Sequence, residues 1–273
     1  MSIKIAILDL NNGKPNQGMR CILDIVSRYS RTNYIPITSQ VFDVRAKNEV
    51  PNTDFDIYIA SGGPGSPLDD EGSDWENNFY QLFDQLEAIN NDPARTDKKY
   101  VFFICHSFQL ICRKYKVGKI SKRKSTSFGI FPIPLTAAGL QEELLSGLSD
   151  PIYAVDSRDW QVTEPDEERL AAMGAKVLAL EKERPHVDLE QCLMAIRFND
   201  YFFGTQFHPE ADPAGMKELL QDEEKKNQII EVHGAEKYWE MMQFLEEPEK
   251  LERTQNKIIP AFLDQALHAM QEA

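Results

Sequence analysis

The chain has 273 residues, of which 42% are hydrophobic and 27% are charged, and its formal net charge is −14. Such a composition is typical of a folded protein with one large domain or two small ones. The negative charge argues against binding to nucleic acid or to an anionic membrane surface. No apolar run approaches the ~20 residues of a membrane span, so we expect no membrane partner.

The start of the chain and its cysteines indicate a cytoplasmic protein. The apolar stretch in MSIKIAILDL is too short for a signal peptide, because Asp9 interrupts it. The four cysteines, Cys21, Cys105, Cys112 and Cys192, show no CxxC spacing. We therefore expect neither a metal site nor a disulfide framework, and a reduced compartment fits best.

Predicted strands and helices alternate through the first half of the chain. Short apolar runs rich in β-branched residues predict strands at 3–9, 40–45, 55–61 and 99–104. Apolar residues at helical spacing predict helices at 15–29, 74–90 and 107–115. This alternation indicates a three-layer α/β/α fold with a mostly parallel central sheet.

The middle of the chain is richer in predicted strands. Three further runs favour β structure, at 128–135, 151–157 and 175–181. The segment CLMAIRFNDYFFGTQF predicts a hairpin, with Asn199 and Asp200 in a tight turn. The basic run KISKRK at 119–124 is interpreted as a solvated turn.

From Asp212 onward the sequence becomes helical and acidic. The apolar pattern of residues 236–270 predicts two or three helices, with Pro248 and Pro260 as breaks or first-turn positions. The simplest division is an α/β domain at 1–211 and a helical extension at 212–273 that packs on it.

Cys105 stands where a predicted strand meets a predicted helix, in VFFICHSFQLI. The carboxyl edge of a parallel sheet is where ligands bind, and a helix N-terminus offers N–H groups that favour a thiolate. Cys105 is therefore a candidate nucleophile at a strand–turn–helix elbow. The alternative is a buried structural thiol, which is our interpretation of the other three cysteines.

The segment TQFHPE offers a candidate base and its orienting carboxylate. His208 and Glu210 are two residues apart, so in extended chain both side chains point the same way. The carboxylate can then accept from one imidazole nitrogen and direct the other toward a nucleophile. His106 is a weaker candidate for the base, since adjacent residues point in different directions.

The glycine-rich segment IASGGPGSP, at 59–67, follows a predicted strand. Its backbone N–H groups can form an oxyanion hole, or they can bind a pyrophosphate, since SGGPGS is near the S-G-G-x-D-S pattern of ATP pyrophosphatases. Gly65 occupies the acidic position of that pattern, which weakens the second interpretation. Neither GxxxxGK[ST] nor GxGxxG occurs, and we expect no cofactor.

The motifs SGGPGS, ICHSFQ and QFHPE, in this order and spacing, resemble the class I glutamine amidotransferase family over about residues 3 to 211. Stand-alone domains similar to the glutaminase half of GMP synthase are the nearest subgroup. The resemblance implies a flavodoxin-like fold and a catalytic triad of Cys105, His208 and Glu210.

The same resemblance implies how the substrate is held. Backbone N–H groups around Gly62 and Gly63 and at His106 would form the oxyanion hole. Gln109 matches the glutamine of the family pattern G-x-C-x-G-x-Q and would help to bind the substrate.

Two positions depart from that pattern, in which glycine stands two residues before and two after the nucleophile. Phe103 and Ser107 occupy them here. Phe103 is the larger change, because a large side chain must be accommodated beside a strained turn.

The expected reaction is hydrolysis of L-glutamine to glutamate and ammonia through a thioester. The C-terminal stretch is too short for an ATP-using acceptor domain, so either a separate synthetase subunit would receive the ammonia or the protein would act as a hydrolase alone. One alternative keeps the triad and hydrolyses a γ-glutamyl amide or peptide bond. Another is a catalytically degenerate binding or regulatory subunit, which Phe103 suggests.

Overall fold

The computed structural model describes residues 2–183, 191–247 and 250–272. Its strands are Ile3–Asp9 (β1), Ile37–Asp43 (β2), Ile57–Ala60 (β3), Tyr100–Ile104 (β4), Lys119–Ile133 (β5), Ile152–Thr163 (β6), Lys176–Leu180 (β7), Leu193–Arg197 (β8) and Phe202–Thr205 (β9). Seven of them form one sheet in the order β2-β1-β3-β4-β9-β8-β7, and β5 pairs with β6 in a separate ribbon. In this order, the neighbouring strands from β2 to β9 run parallel to one another. Strand β8 runs antiparallel to both of its neighbours, β9 and β7.

Helices cover both faces of the sheet. They are Gln17–Asn33 (α1), Val44–Lys47 (α2), Asp74–Asn91 (α3), His106–Tyr115 (α4), Glu167–Met173 (α5), Pro213–Gln221 (α6), Glu223–His233 (α7), Ala235–Phe244 (α8), Glu252–Gln255 (α9) and Ile258–Glu272 (α10). Two 3-10 turns follow β5, at Gly139–Gln141 and Glu143–Leu145.

Local sequence explains where the long helices start. Asn16 caps α1 and Ser73 caps α3, each side chain accepting from a backbone N–H of the first turn. The apolar stripe of α1 packs on one face of the sheet together with α10, and that of α3 packs on the other face with α4. The predicted three-layer α/β/α fold is confirmed.

The β5–β6 ribbon corrects one expectation. The prediction that 119–124 is a turn is wrong, because these residues form the first part of β5 and pair with β6 from Lys119↔Thr163 to Lys122↔Trp160. The charged side chains lie mostly on the solvent side of the ribbon, and Arg123 forms an ion pair with Glu181 at 2.9 Å. A run of charged residues can thus form the solvent-exposed face of a strand.

Residues beyond Asp212 form five helices in the described ranges 212–247 and 250–272, α6 to α10. Three of them, α8, α9 and α10, cover the segment 236–270, for which we predicted two or three. Pro260 lies in the first turn of α10, as expected, and Pro248 lies outside the described residues. Helix α10 packs into the core of the sheet, where the Tyr29 hydroxyl donates to Asp264 at 2.5 Å.

Helices α6, α7 and α8 pack on the ribbon instead, through a cluster that includes Ile130, Met216, Ile229 and Met241. The division of the chain at residue 211 stays a prediction. In the described part of the chain, every helix is too short or too polar to cross a membrane.

Candidate active site

Cys105 lies at the turn between β4 and α4. Its backbone has φ +50° and ψ −98°, a conformation that a residue with a Cβ rarely adopts and that costs about 1–3 kcal/mol. Two hydrogen bonds hold it there: the Cys105 N–H donates to the Thr205 carbonyl at 2.8 Å, and the Gln109 N–H donates to the Cys105 carbonyl at 2.9 Å. The turn places the thiol at the carboxyl edge of the sheet, the geometry of a nucleophile elbow.

Phe103 points into the aromatic core beneath this turn. The ring is fully buried, and its centroid lies 4.8 Å from that of Phe83 in an edge-to-face arrangement. Gly204 is its partner on β9, and a Cβ at Gly204 would come within 3.3 Å of the Phe103 Cβ and 2.8 Å of the Phe108 ring. A glycine on the neighbouring strand thus makes room for Phe103, and the turn at Cys105 keeps its elbow geometry.

Ser107 ties the elbow to the adjacent strand. Its buried hydroxyl accepts from the Ile104 N–H at 2.8 Å and donates to the Ala60 carbonyl at 2.8 Å. These bonds satisfy backbone groups at the ends of β4 and β3, which glycine could not do. This role was not predicted, and the only hint of it in the sequence is a small polar residue in the first turn of α4.

His208 and Glu210 lie just past the end of β9, in front of Cys105. The His208 N–H donates to the Val155 carbonyl of β6 at 2.8 Å, which fixes the backbone. The imidazole Nδ1 lies 2.8 Å from Glu210 Oε1, and the ring lines the same cavity as Cys105, close enough for the two side chains to interact electrostatically. The structure therefore brings the three residues of the expected triad together.

The surroundings of His208 favour its protonated form. Burial opposes the charge, but the Glu210 carboxylate and the Cys105 side chain outweigh it and raise the pKa of His208 well above its usual value. The Glu210 side chain is only 2% exposed, so solvent screens its charge weakly. A protonated imidazole beside a thiol stabilises the thiolate.

His106 lies behind the elbow in an opposite environment. Its side chain is buried, and burial, with the positive charges of Arg45 and Arg113, lowers its pKa to about 3. A neutral imidazole on this side of the turn is poorly placed to take a proton from Cys105. Its backbone N–H is the first of helix α4 and stays close to the thiol.

The glycine-rich loop after β3 packs tightly against the same residues. A Cβ at Gly62 would lie 2.9 Å from His208 Cε1 and 3.5 Å from Cys105 Cβ. A Cβ at Gly63 would lie 2.3 Å from the Leu10 carbonyl oxygen. A side chain at Gly62 would collide with His208, and one at Gly63 with the Leu10 backbone, so the loop can pack in this position only with glycine at both.

Gln109 is buried at the start of α4 and lines the cavity. Its amide nitrogen donates to the Trp160 carbonyl at 3.0 Å and to Gln206 Oε1 at 3.1 Å. The Gln206 amide in turn lies 3.6 Å from Cys105 Sγ. We did not predict a role for Gln206, although its place in TQFHPE, two residues before His208, puts it on the same side of the extended chain.

A buried ionic cluster supports β6 next to the thiol. Arg158 Nε lies 2.8 Å from Asp156 Oδ1, and its Nη2 lies 3.5 Å from Glu181 Oε1, with the Arg158 side chain 1% exposed. Between the paired residues, the Ser157 carbonyl lies 3.7 Å from Cys105 Sγ. Since an unpaired buried charge is costly, this cluster fixes the strand that faces the thiol.

A cavity of about 920 Å³ opens in front of Cys105. It is lined by the glycine-rich loop, by Gln109 and Trp160, and by residues of α6 and α7. The cavity gives a substrate access to the thiol, the imidazole and the loop at the same time.

The family model Glutamine amidotransferase class-I matches residues 22–226 of the chain. None of the curated proteins compared with the chain matches it.

Solved structures share the fold at low sequence identity. A glutamine amidotransferase from Thermotoga maritima has a TM-score of 0.66 at 12% identity, covering 99% of both chains. The glutaminase domain of Trypanosoma brucei CTPS with bound acivicin has a TM-score of 0.58 at 13% identity, covering 97% of this chain and 94% of that one. A glutamine amido transferase from Methylobacillus flagellatus has a TM-score of 0.53 at 16% identity, covering 99% of this chain and 92% of that one.

Proposed function

The chain belongs to the class-I glutamine amidotransferase family and is an enzyme of that type, and we propose that it hydrolyses the side-chain amide of L-glutamine to glutamate and ammonia. Cys105 would be the nucleophile, His208 the base and Glu210 the group that orients the imidazole. The main support is the position of His208, whose ring lies 2.8 Å from the Glu210 carboxylate and lines the same cavity as Cys105.

In the first half of the reaction, Cys105 loses its proton to His208 and Sγ attacks the amide carbon. The new S–C bond gives a tetrahedral intermediate, and His208 returns the proton to the amide nitrogen as the C–N bond breaks. Ammonia leaves and a γ-glutamyl thioester remains on Cys105. The raised pKa of His208 suits this step, because it favours the thiolate–imidazolium pair.

In the second half, His208 takes a proton from water while the water oxygen attacks the thioester carbon. The C–S bond breaks, Cys105 recovers a proton from His208, and glutamate leaves. The oxyanion of both tetrahedral intermediates would accept from backbone N–H groups of Gly63 and His106. Removing one such donor typically costs about 3–4 kcal/mol of transition-state stabilisation.

The released ammonia can be incorporated into a product only if an acceptor enzyme is present. A synthetase subunit that binds this chain and consumes ammonia is part of the proposal. Stimulation of glutamate release by a purified candidate synthetase, with ammonia transferred to its product, is the corresponding test.

The direct test is to incubate the purified protein with L-glutamine and to measure glutamate and ammonia. We expect equal amounts of both from the wild type and a loss on the order of 10⁴-fold or more in Cys105→Ala. Cys112→Ala, which removes a buried thiol on the same helix, is the matched control and should retain activity.

Equal rates in the wild type and in Cys105→Ala would contradict the proposal. A wild type that is inert toward glutamine and toward γ-glutamyl amides, with and without partner proteins, would favour a non-catalytic binding or regulatory subunit.

A further inference from the structure

Arg45, in the short helix α2, binds the glycine-rich loop that follows β3. Its Nη1 donates to the Pro64 carbonyl at 2.6 Å and to the Leu10 carbonyl at 3.3 Å. Pro64 belongs to the loop, whereas Leu10 follows directly on the end of β1. A single guanidinium nitrogen therefore joins the loop to the end of the neighbouring strand.

Gly63 adjoins both of the carbonyl groups that Arg45 binds. It directly precedes Pro64, and a Cβ at Gly63 would lie 2.3 Å from the Leu10 carbonyl oxygen. The loop thus packs on the Leu10 backbone through Gly63, and the guanidinium bonds to the backbone on each side of this contact. A shift of Gly63 away from Leu10 would break at least one of the two hydrogen bonds.

The guanidinium of Arg45 is itself held in one orientation. Its Nη2 lies 2.9 Å from Asp70 Oδ2, and its Cζ lies 5.5 Å from the centroid of the Trp75 ring. The Arg45 side chain is only 8% exposed, so solvent screens its ion pair weakly. A planar guanidinium that is bound at both Nη atoms offers its donors to the two carbonyls in a fixed geometry.

The peptide between Gly62 and Gly63 is oriented by a second contact. The buried Ser61 hydroxyl donates to the Gly62 carbonyl at 2.8 Å and accepts from the Leu10 N–H at 3.0 Å. In a planar trans peptide the N–H points opposite to the carbonyl, so the Gly63 N–H points away from the Ser61 hydroxyl. A Cβ at Gly62 would lie 3.5 Å from Cys105 Cβ, which places this peptide beside the nucleophile.

We propose that Arg45 is a positioning residue for the oxyanion hole, because it keeps the Gly63 N–H at the distance from Cys105 that the tetrahedral intermediate requires. The inference rests on the proposed function, in which this N–H binds the oxyanion. Arg45 acts only through the loop and takes part in no bond-making step. An oxyanion-hole donor contributes mainly in the transition state, so a displaced loop should lower kcat with little change in KM.

The test measures kcat and KM for L-glutamine in the wild type and in variants of α2. Arg45→Met has a side chain of similar length without donors, and its kcat should fall by about 10-fold or more while KM changes by less than about 3-fold. Arg45→Lys can still donate to one of the two carbonyls, so it should keep at least about three times the kcat of Arg45→Met. Lys47→Met removes an exposed positive charge from the same helix and should keep the wild-type kcat.

Asp70→Ala tests the same contact from a more exposed position. It frees the Nη2 arm of Arg45, and because the Asp70 side chain is 36% exposed the variant should fold normally. We expect its kcat to fall by about 3-fold, less than that of Arg45→Met. Urea unfolding of each variant separates this role from stability, since a residue that only stabilises the fold would lower the urea midpoint and leave kcat unchanged.

A kcat within about 2-fold of the wild type in folded Arg45→Met, or a loss that appears only in KM, would overturn the inference and leave the proposed function intact. If Arg45→Met does not fold, wild-type kcat values in both Arg45→Lys and Asp70→Ala would overturn it instead. An equal loss in Lys47→Met would also do so, because removal of a positive charge would then explain the result. If the wild type does not hydrolyse glutamine, the proposed function fails together with the inference.

Discussion

The two sides of the elbow at Cys105 differ in almost every physical respect. In front of it, His208 lies between a thiol and a carboxylate, its pKa is raised, and a cavity gives access to solvent. Behind it, His106 and Phe103 are buried, and the pKa of His106 is lowered to about 3. Two histidines close to one thiol thus have opposite electrostatic environments.

A group can act on Cys105 only if it lies in front of the elbow, whatever its distance along the chain. His106 is its direct neighbour in sequence, yet the turn directs it into the core. His208 follows a hundred residues later and lines the same cavity as Cys105. We therefore expect substitutions in front of the elbow to reduce activity and substitutions behind it to reduce stability.

The largest effect is expected at the front, for His208→Ala. Without the imidazole, neither the thiol nor the leaving nitrogen exchanges its proton efficiently, and kcat for glutamate release should fall on the order of 10⁴- to 10⁶-fold. Steady-state assays of glutamate release by the wild type and by His208→Ala measure this fall in kcat. His106→Ala is the matched control, and a loss as large as that of His208→Ala would contradict the assignment of the base.

Behind the elbow, Phe103→Ala should lower the free energy of unfolding by about 3–5 kcal/mol, because it leaves a cavity in a packed aromatic core. Urea unfolding of the wild type and the variant measures the difference. Phe42→Ala on the edge strand β2, where the side chain is only partly buried, should cost less. A loss below about 1 kcal/mol at Phe103 would show that the ring is not packed as described.

The buried imidazole behind the elbow should make stability depend on pH. The unfolded chain takes up a proton at His106 near pH 6.5, while the folded protein does so only near pH 3, so stability falls as the pH drops below 6.5. The loss should be about 2 kcal/mol between pH 6.5 and pH 5, and His106→Asn should remove it.

Urea unfolding at several pH values, compared between the wild type and His106→Asn, measures this contribution. His268→Asn is the control, since solvent surrounds that histidine on α10. The same acid dependence in the wild type and in His106→Asn would show that His106 is not buried in its neutral form.

The smallest effect is expected at the ion pair between Arg20 and Asp212, which lines the cavity. Arg20 is 41% exposed, so Arg20→Ala should cost no more than about 1 kcal/mol of unfolding free energy, although it removes two hydrogen bonds to Asp212. Arg28→Ala, an exposed arginine of the same helix, is the control. If Arg20→Ala lowered the free energy of unfolding by several kcal/mol, the residues in front of the elbow would depend on this ion pair as strongly as the residues behind it depend on core packing.

Sequence patterns predicted the long helices with one buried face and the short strands that are buried on both faces. The hairpin at Asn199 formed as expected, and its side chain accepts from the N–H groups of Tyr201 and Phe202 at 2.9 Å. The strand expected at 40–45 lies at Ile37–Asp43, because β2 is an edge strand with mostly exposed side chains and a weak apolar pattern.

Features that depend on distant pairing could not be predicted in this way. The basic run at 119–124 looks solvated because its lysines are, but its backbone pairs with β6, more than thirty residues later.

The breaks between α6, α7 and α8 are a separate, local feature. They occur at Asp222, which caps α7, and at Gly234, which has φ +86°. Neither residue interrupts the apolar pattern.

At the candidate site, motif order predicted which residues meet but not how they are supported. The place of Phe103 depends on Gly204, which lies on a strand adjacent only in space. The contact of Gln206 with Cys105 and Gln109 likewise requires β4 and β9 to be neighbours. Such compensation becomes visible only when the strand order is known.

Labelling with a diazoketone analogue of glutamine tests most directly whether Cys105 is the nucleophile. Peptide mapping by mass spectrometry should find one adduct per chain, on Cys105, and free glutamine should protect against it. Burial raises the pKa of the Cys21, Cys112 and Cys192 thiols, so these stay protonated at neutral pH and should stay unmodified. An adduct on any of those three in place of Cys105, or no adduct on the folded wild type, would contradict the account.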